Sequence, residues 1–139
     1  MNSANKPQQL MALDYGTVRI GVAIGDTQVK IAIPSGTVEV DGQEIPVILK
    51  LAKQHAIDHI IVGYPRNQSG QATKQTKLAE DFKNQLSEKF EPVSFQDESL
   101  TSVLAEGRLK SHNKPYSRGD IDALAAALIL EDYFEEHAK

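Results

Sequence analysis

Cysteine is absent from the 139-residue chain, which excludes disulfides and thiolate zinc sites. Histidine is sparse, with His55, His59, His112 and His137 scattered along the sequence. Only the first two stand at helix-like spacing, and a break in the pattern falls between them, so an imidazole zinc site is not expected. No apolar run approaches the roughly 20 residues that a membrane span needs. The opening MNSANKPQQL lacks the basic-then-apolar layout of a secretory signal, so export is not expected and a cytoplasmic location is. Positive charge is not in excess either: 15 Lys and Arg against 19 Asp and Glu leave a formal charge of −4. This argues against a protein that coats nucleic acid by bulk electrostatics, but not against an enzyme with a local basic rim around an acidic site.

What is present suits one folded unit. Hydrophobic residues make up 40% of the chain, enough for a core, and the length fits one domain. Residues 1–8 read as a loose polar tail and 9–139 as a single domain. Gln9 to Asp14 is a short apolar strand ending on an acid. Arg19 to Gly25 alternates Ile20, Val22 and Ile24 with Gly21 and Ala23, a strand with one bulky and one small face that suits close packing by another layer. Ile31 to Val40 is a third strand, and Pro34 and Gly36 assign it to an edge. Short links make these three an antiparallel meander.

From Asp41 the period changes. Ile45, Ile48, Leu49 and Ala52 mark a helix face, with Pro46 tolerated in the first turn. His59 to Gly63 is a continuous apolar run, as in a strand covered on both faces, and Tyr64 to Gly70 is a loop. Ala72 to Lys89 forms a helix with Leu78, Phe82 and Leu86 at i, i+4 spacing, and Val93 to Asp97 the fifth strand. A helix is predicted from about Thr101 to Lys110, a basic loop over Ser111 to Arg118, and a last helix from near Gly119 to His137 with Ile121, Leu124, Ala125 and Leu128 inward. The order predicts a mixed five-stranded sheet, three strands antiparallel and then two parallel, flanked by helices.

The chemistry rests on acids. If the first, fourth and fifth strands run parallel, Asp14 and the Asp97-Glu98 pair share one sheet edge, where open α/β sheets place their sites. Asp122 lies in the first turn of the last helix and can reach the same edge. Clustered carboxylates repel unless a cation sits among them. Oxygen ligands without His or Cys suit Mg2+ or Mn2+, ions that orient and deprotonate water and stabilise the leaving oxygen of a phosphodiester. Acids in such positions also cap helices, a role open to Asp122 and Asp97, while Asp26 is a turn former. Strand alternation sets Val93, Phe95 and Asp97 on one face and Ser94, Gln96 and Glu98 on the other. Glu98, longer by a methylene, is the member of the pair expected to reach Asp14.

Four blocks carry a family resemblance. Asp14-Tyr15-Gly16-Thr17-Val18-Arg19-Ile20-Gly21-Val22-Ala23 with Asp26, Ile61-Val62-Gly63-Tyr64-Pro65 with Gly70, Asp97-Glu98-Ser99-Leu100-Thr101, and Ile121-Asp122-Ala123-Leu124-Ala125-Ala126 with Ile129-Leu130 resemble, in order, the signatures of the YqgF/RuvX family. These are small relatives of the Holliday junction resolvase RuvC. The resemblance implies a ribonuclease-H-like fold, catalytic acids at Asp14, Glu98 and Asp122, and maturation of the 5′ end of small-subunit ribosomal RNA. Two positions depart from the pattern: Ser99 stands where the family usually has Arg, and Arg66 where an apolar residue is usual.

Arg19 is expected to contact phosphate or to pair with a nearby acid. Lys110, His112, Lys114 and Arg118, with Tyr116 among them, form the densest basic stretch, a candidate grip on a nucleic-acid backbone or a solvated loop. Gly16 and Gly21 permit a tight turn and close backbone approach. The expected partner is structured nucleic acid, either a pre-16S ribosomal RNA or branched DNA, with no membrane involved. Three other functions compete: a nucleotide-binding fold of the actin and sugar-kinase type, which needs two such domains; a catalytically inactive RNA- or ribosome-binding module; and DNA junction resolution, which calls for a dimer. Oligomeric state is not legible in the sequence.

Overall fold

Alternation along β1 (Gln9–Tyr15) sends Met11 and Leu13 to one side of the sheet and Leu10 and Ala12 to the other. In the computed structural model, which describes residues 6–65, 74–98, 107–111 and 115–137, β1 pairs antiparallel with β2 (Arg19–Asp26), and β2 with β3 (Ile33–Glu39). β1 also pairs in parallel with β4 (His59–Pro65), and β4 with β5 (Val93–Glu98). The order β3-β2-β1-β4-β5 is the expected mixed sheet. β3, with Pro34 and Gly36, takes an edge.

On one face Met11, Leu13, Ile20, Val22, Ile60 and Val62 pack against Ile48 and Ala52 of α1 (Glu44–Gln54) and Phe82 and Leu86 of α2 (Lys74–Ser87). The buried face of α2 differs from the expected one. It is Thr76, Ala79, Phe82 and Leu86, and Leu78 is only half-buried. Thr76 tolerates full burial because its hydroxyl donates to the Pro65 carbonyl at 2.6 Å, tying the start of α2 to the end of β4. Of the helix expected at 101–110, residues 107–111 are helical (α3), and 101–106 lie outside the described residues.

The opposite face is covered by α4 (Arg118–Glu136). Leu10, Ala12 and Ile61 meet Ile129, Leu130 and Phe134 there, while Ala23 meets Ala126 and Ala127. Ile121 and Leu124, expected inward, are only half-buried and pack beside Ala125 and Leu128. The small face of β2 explains how close α4 comes. A methyl carbon at Gly25 would lie 3.2 Å from the Phe134 ring, and one at Gly21 would collide with the Asp122 backbone. Ile129 and Leu130 are fully buried, each contributing roughly 1.5–3 kcal/mol. Apolar contact therefore holds α4 on the sheet, whatever its acidic end costs.

Candidate active site

Asp14 continues the Leu10–Ala12 face of β1, so its carboxyl is on the α4 side. Its neighbours in the sheet are glycines. Gly21 lies opposite Asp14 on β2, and Gly63 follows Val62, the β4 partner of Leu13. Each glycine leaves space for another acid. A side chain at Gly63 would collide with the Glu98 carboxylate and crowd the Ile129 Cδ1 at 2.6 Å, as one at Gly21 would the Asp122 carbonyl.

Glu98 ends β5 on the face of Ser94 and Gln96. Ser94 Oγ lies 2.8 Å from His59 Nε2, whose ring meets Tyr133 of α4 edge-on, and buried Gln96 donates its amide to Glu136 of α4. Asp97 is exposed and pairs with Tyr64 in the ladder, and the segment to which its helix-start reading refers lies outside the described residues. The register separates the two members of the pair as expected.

Asp122 is free of the capping role that was open to it. Ser117 is the N-cap of α4: its hydroxyl accepts from Asp120 N at 3.2 Å, and Asp120 accepts in return from Ser117 N at 2.9 Å. This reciprocal box satisfies the helix start. Asp122 instead accepts a hydrogen bond from Arg19 Nε at 2.8 Å, across 103 residues of sequence. Arg19 thus makes the acid pair that was one of its two expected roles. Arg118 begins α4, exposed and outside the cleft lining, and Lys114 lies outside the described residues. Asp26 forms the expected turn, accepting from Gln28 N and Val29 N at 2.9 and 2.7 Å.

Asp14, Glu98 and Asp122 line one cleft of about 260 Å3 with Tyr15, Gly16, Arg19, Pro65 and Gln75. At about 30 Å3 per water, it has room for a cation and several waters. Burial is the main reason that the Asp14 carboxyl keeps its proton well beyond the usual carboxylate range. The charge of Glu98, the hydrogen bond donated to Glu98 and the charge of Asp122 add to it. Gln75 was not singled out from the sequence. Its amide donates to the Tyr15 carbonyl at 3.3 Å, and nothing in the polar start of α2 marks it beforehand.

Comparisons with known proteins give the family and the fold. The family model described as "RuvX: Holliday junction resolvase" matches residues 8–136. The chain belongs to the RuvX family. A candidate pre-16S rRNA nuclease of Dechloromonas aromatica is 38% identical over 131 residues, covering 91% of this chain and 90% of that protein. One from Shewanella oneidensis is 38% identical over 135 residues, covering 92% and 94%. Among solved structures, Thermus thermophilus RuvC in complex with a Holliday junction substrate matches with a TM-score of 0.55 at 17% identity, over 93% of this RuvX chain and 96% of that one. At that identity the likeness speaks for the fold, which is ribonuclease-H-like.

Proposed function

We propose that this RuvX chain is a divalent-metal-dependent nuclease, a hydrolase of phosphodiester bonds in structured nucleic acid. Its proposed task is 5′-end processing of pre-16S ribosomal RNA in the cytoplasm, with residues 9–139 as a single nuclease domain. The observation that carries this reading is the meeting of Asp14, Glu98 and Asp122, from β1, β5 and α4, in one cleft. The nuclease names of the relatives, at 38% identity over nearly the whole chain, support it. Among the described residues no helix is long and apolar enough to cross a membrane.

The side chains fit Mg2+ or Mn2+ chemically. Among the described residues neither His nor Cys lines the cleft, its charged oxygen donors are carboxylates, and a buried carboxyl stands against a second one, a repulsion that a cation would relieve. Asp14, Glu98 and Asp122 are the residues to hold the ion, Asp122 also accepting from Arg19. When bound, such an ion activates water and stabilises the leaving oxygen. Asp14 must give up its proton for this, so ion binding strengthens as pH rises. Gly16 keeps the turn beside Asp14 tight: a side chain there would lie 2.7 Å from the Arg19 carbonyl oxygen. Arg19 holds Asp122 in place and supplies positive charge to a phosphate entering the cleft.

A Holliday-junction-resolving nuclease is the second reading, favoured by the family description and the shared fold with RuvC. The deciding experiment incubates pure protein with labelled precursor RNA and with a four-way DNA junction, each with Mn2+ and with chelator. Metal-dependent cleavage of the RNA supports the first reading, and of the junction alone the second. No cleavage of either points to a binding module that has lost catalysis.

A further inference from the structure

The sheet is not paired evenly at the end that carries the acids. β1 and β2 stay paired through Tyr15↔Ile20, and β4 and β5 through Pro65↔Glu98. Between β1 and β4, the pairs among the described residues run from Leu10↔His59 only to Leu13↔Val62. Asp14 and Tyr15 on one strand, and Gly63 to Pro65 on the other, lie beyond the last pair. A seam thus opens between the two strands. Asp14 stands on its β1 side, and Glu98, carried by β5, on its β4 side.

The first turn of α2 spans this seam. Gln75 donates from Nε2 to the Tyr15 carbonyl at 3.3 Å, and fully buried Thr76 donates from Oγ1 to the Pro65 carbonyl at 2.6 Å. Consecutive residues of a helix point about 100° apart, which lets neighbours in sequence reach two different strands. Each accepting carbonyl belongs to a residue beside an acid. Tyr15 follows Asp14 in the chain, and Pro65 is the ladder partner of Glu98.

We infer that Gln75 and Thr76 are positioning residues for the cleft: together they clamp the ends of β1 and β4 and so set the separation of Asp14 from Glu98. The inference rests on the nuclease reading above, in which neither residue has a role. Two carboxylates brought together repel, and past Leu13 and Val62 no ladder pair restrains the strands that carry them. Without the clamp the repulsion widens the seam, and the two acids no longer reach one ion. A displacement of about 1 Å at a reacting centre costs on the order of a hundredfold in rate, so a small opening is enough to matter.

The test separates positioning from packing and from substrate contact. Gln75→Met keeps the length of the side chain and removes its donor. Thr76→Val keeps the shape and removes the hydroxyl, whereas Thr76→Ser keeps the hydroxyl and loses a buried methyl. Each full-length variant, shown to be folded by circular dichroism, is titrated with Mn2+ and the free ion followed by electron paramagnetic resonance. Values of kcat and KM are measured on the substrate that wild type cleaves. Gln75→Met and Thr76→Val are each expected to raise the Mn2+ dissociation constant and lower kcat about tenfold or more, with KM little changed. Thr76→Ser should melt at a lower temperature yet bind Mn2+ and cleave as wild type does. Because both contacts act on one seam, Gln75→Met/Thr76→Val should lose about as much as the worse single variant, not the product of the two losses. Wild-type Mn2+ affinity and kcat in either folded Gln75→Met or folded Thr76→Val overturns the inference. So does a multiplicative loss in the double variant, a Thr76→Ser as impaired as Thr76→Val, or a loss in Gln75→Met confined to KM. If wild type binds Mn2+ but cleaves nothing, the nuclease reading falls and the Mn2+ affinities alone decide the clamp. Wild type that neither binds Mn2+ nor cleaves overturns both.

Discussion

Gly21 and Asp122 occupy adjoining space so tightly that a single added carbon at position 21 would overlap the Asp122 carbonyl oxygen. The absence of a side chain on β2 thus determines where the acid on α4 stands. Gly21→Ala forces backbone against backbone, which no side-chain rotation relieves. The expected cost is about 1–3 kcal/mol, read as a lowered melting temperature. Cleavage should fall further than stability explains, because Asp122 moves with the helix. Wild-type melting and activity in this variant would show that α4 has slack at this point.

A second expectation concerns pH. The folded-state pKa of Asp14 is raised from its ordinary value of 3.8, so the folded chain binds this proton more tightly than the unfolded one. Its contribution to stability is complete below about that ordinary value and is lost as pH rises through the folded value. Asp14→Asn carries no such proton. In metal-free buffer the variant should match wild type in acid and exceed it in stability at neutral pH, as measured by denaturant unfolding across the pH range. A variant less stable at neutral pH than in acid, relative to wild type, would contradict the burial and repulsion assigned to this carboxyl. Saturating Mn2+ should reverse the ranking, since about a hundredfold excess over the dissociation constant stabilises wild type by about 2.7 kcal/mol.

The Asp97-Glu98 pair separates a role in the site from one on the surface. Glu98 shares the cleft with Asp14, and exposed Asp97 belongs to the other face of β5. Glu98→Gln should lower kcat at least about a hundredfold, the scale of losing one charge-bearing group at a reacting centre. Asp97→Asn should change it by about twofold, equivalent to the usual ±0.5 kcal/mol of a surface substitution. The reverse pattern would mean that the strand carries its side chains in the opposite register.

Much of this was legible in the sequence because it is periodic and local. The small face of Gly21, Ala23 and Gly25 announced a closely packed layer, Pro34 and Gly36 an edge strand, and alternation in Val93–Glu98 which acid faces the cleft. What was not legible depends on partners far along the chain. Thr76 enters the core in place of Leu78 because a carbonyl on β4 receives its hydroxyl. Asp122 escapes the capping role because Ser117 and Asp120 fill it, and it meets Arg19 across 103 residues, a pairing that no local pattern marks. The expectations for Lys114, Arg66 and Ser99 fall on residues outside those described.

The claim that these acids hydrolyse phosphodiester bonds is tested most directly by one comparison. Wild type and Asp14→Asn, purified side by side and shown to be folded by circular dichroism, are incubated with labelled precursor RNA and Mn2+. The account predicts cleavage by wild type that chelator abolishes, and none above background by Asp14→Asn. Equal cleavage by the two proteins would trace the activity to something other than this cleft and contradict the account.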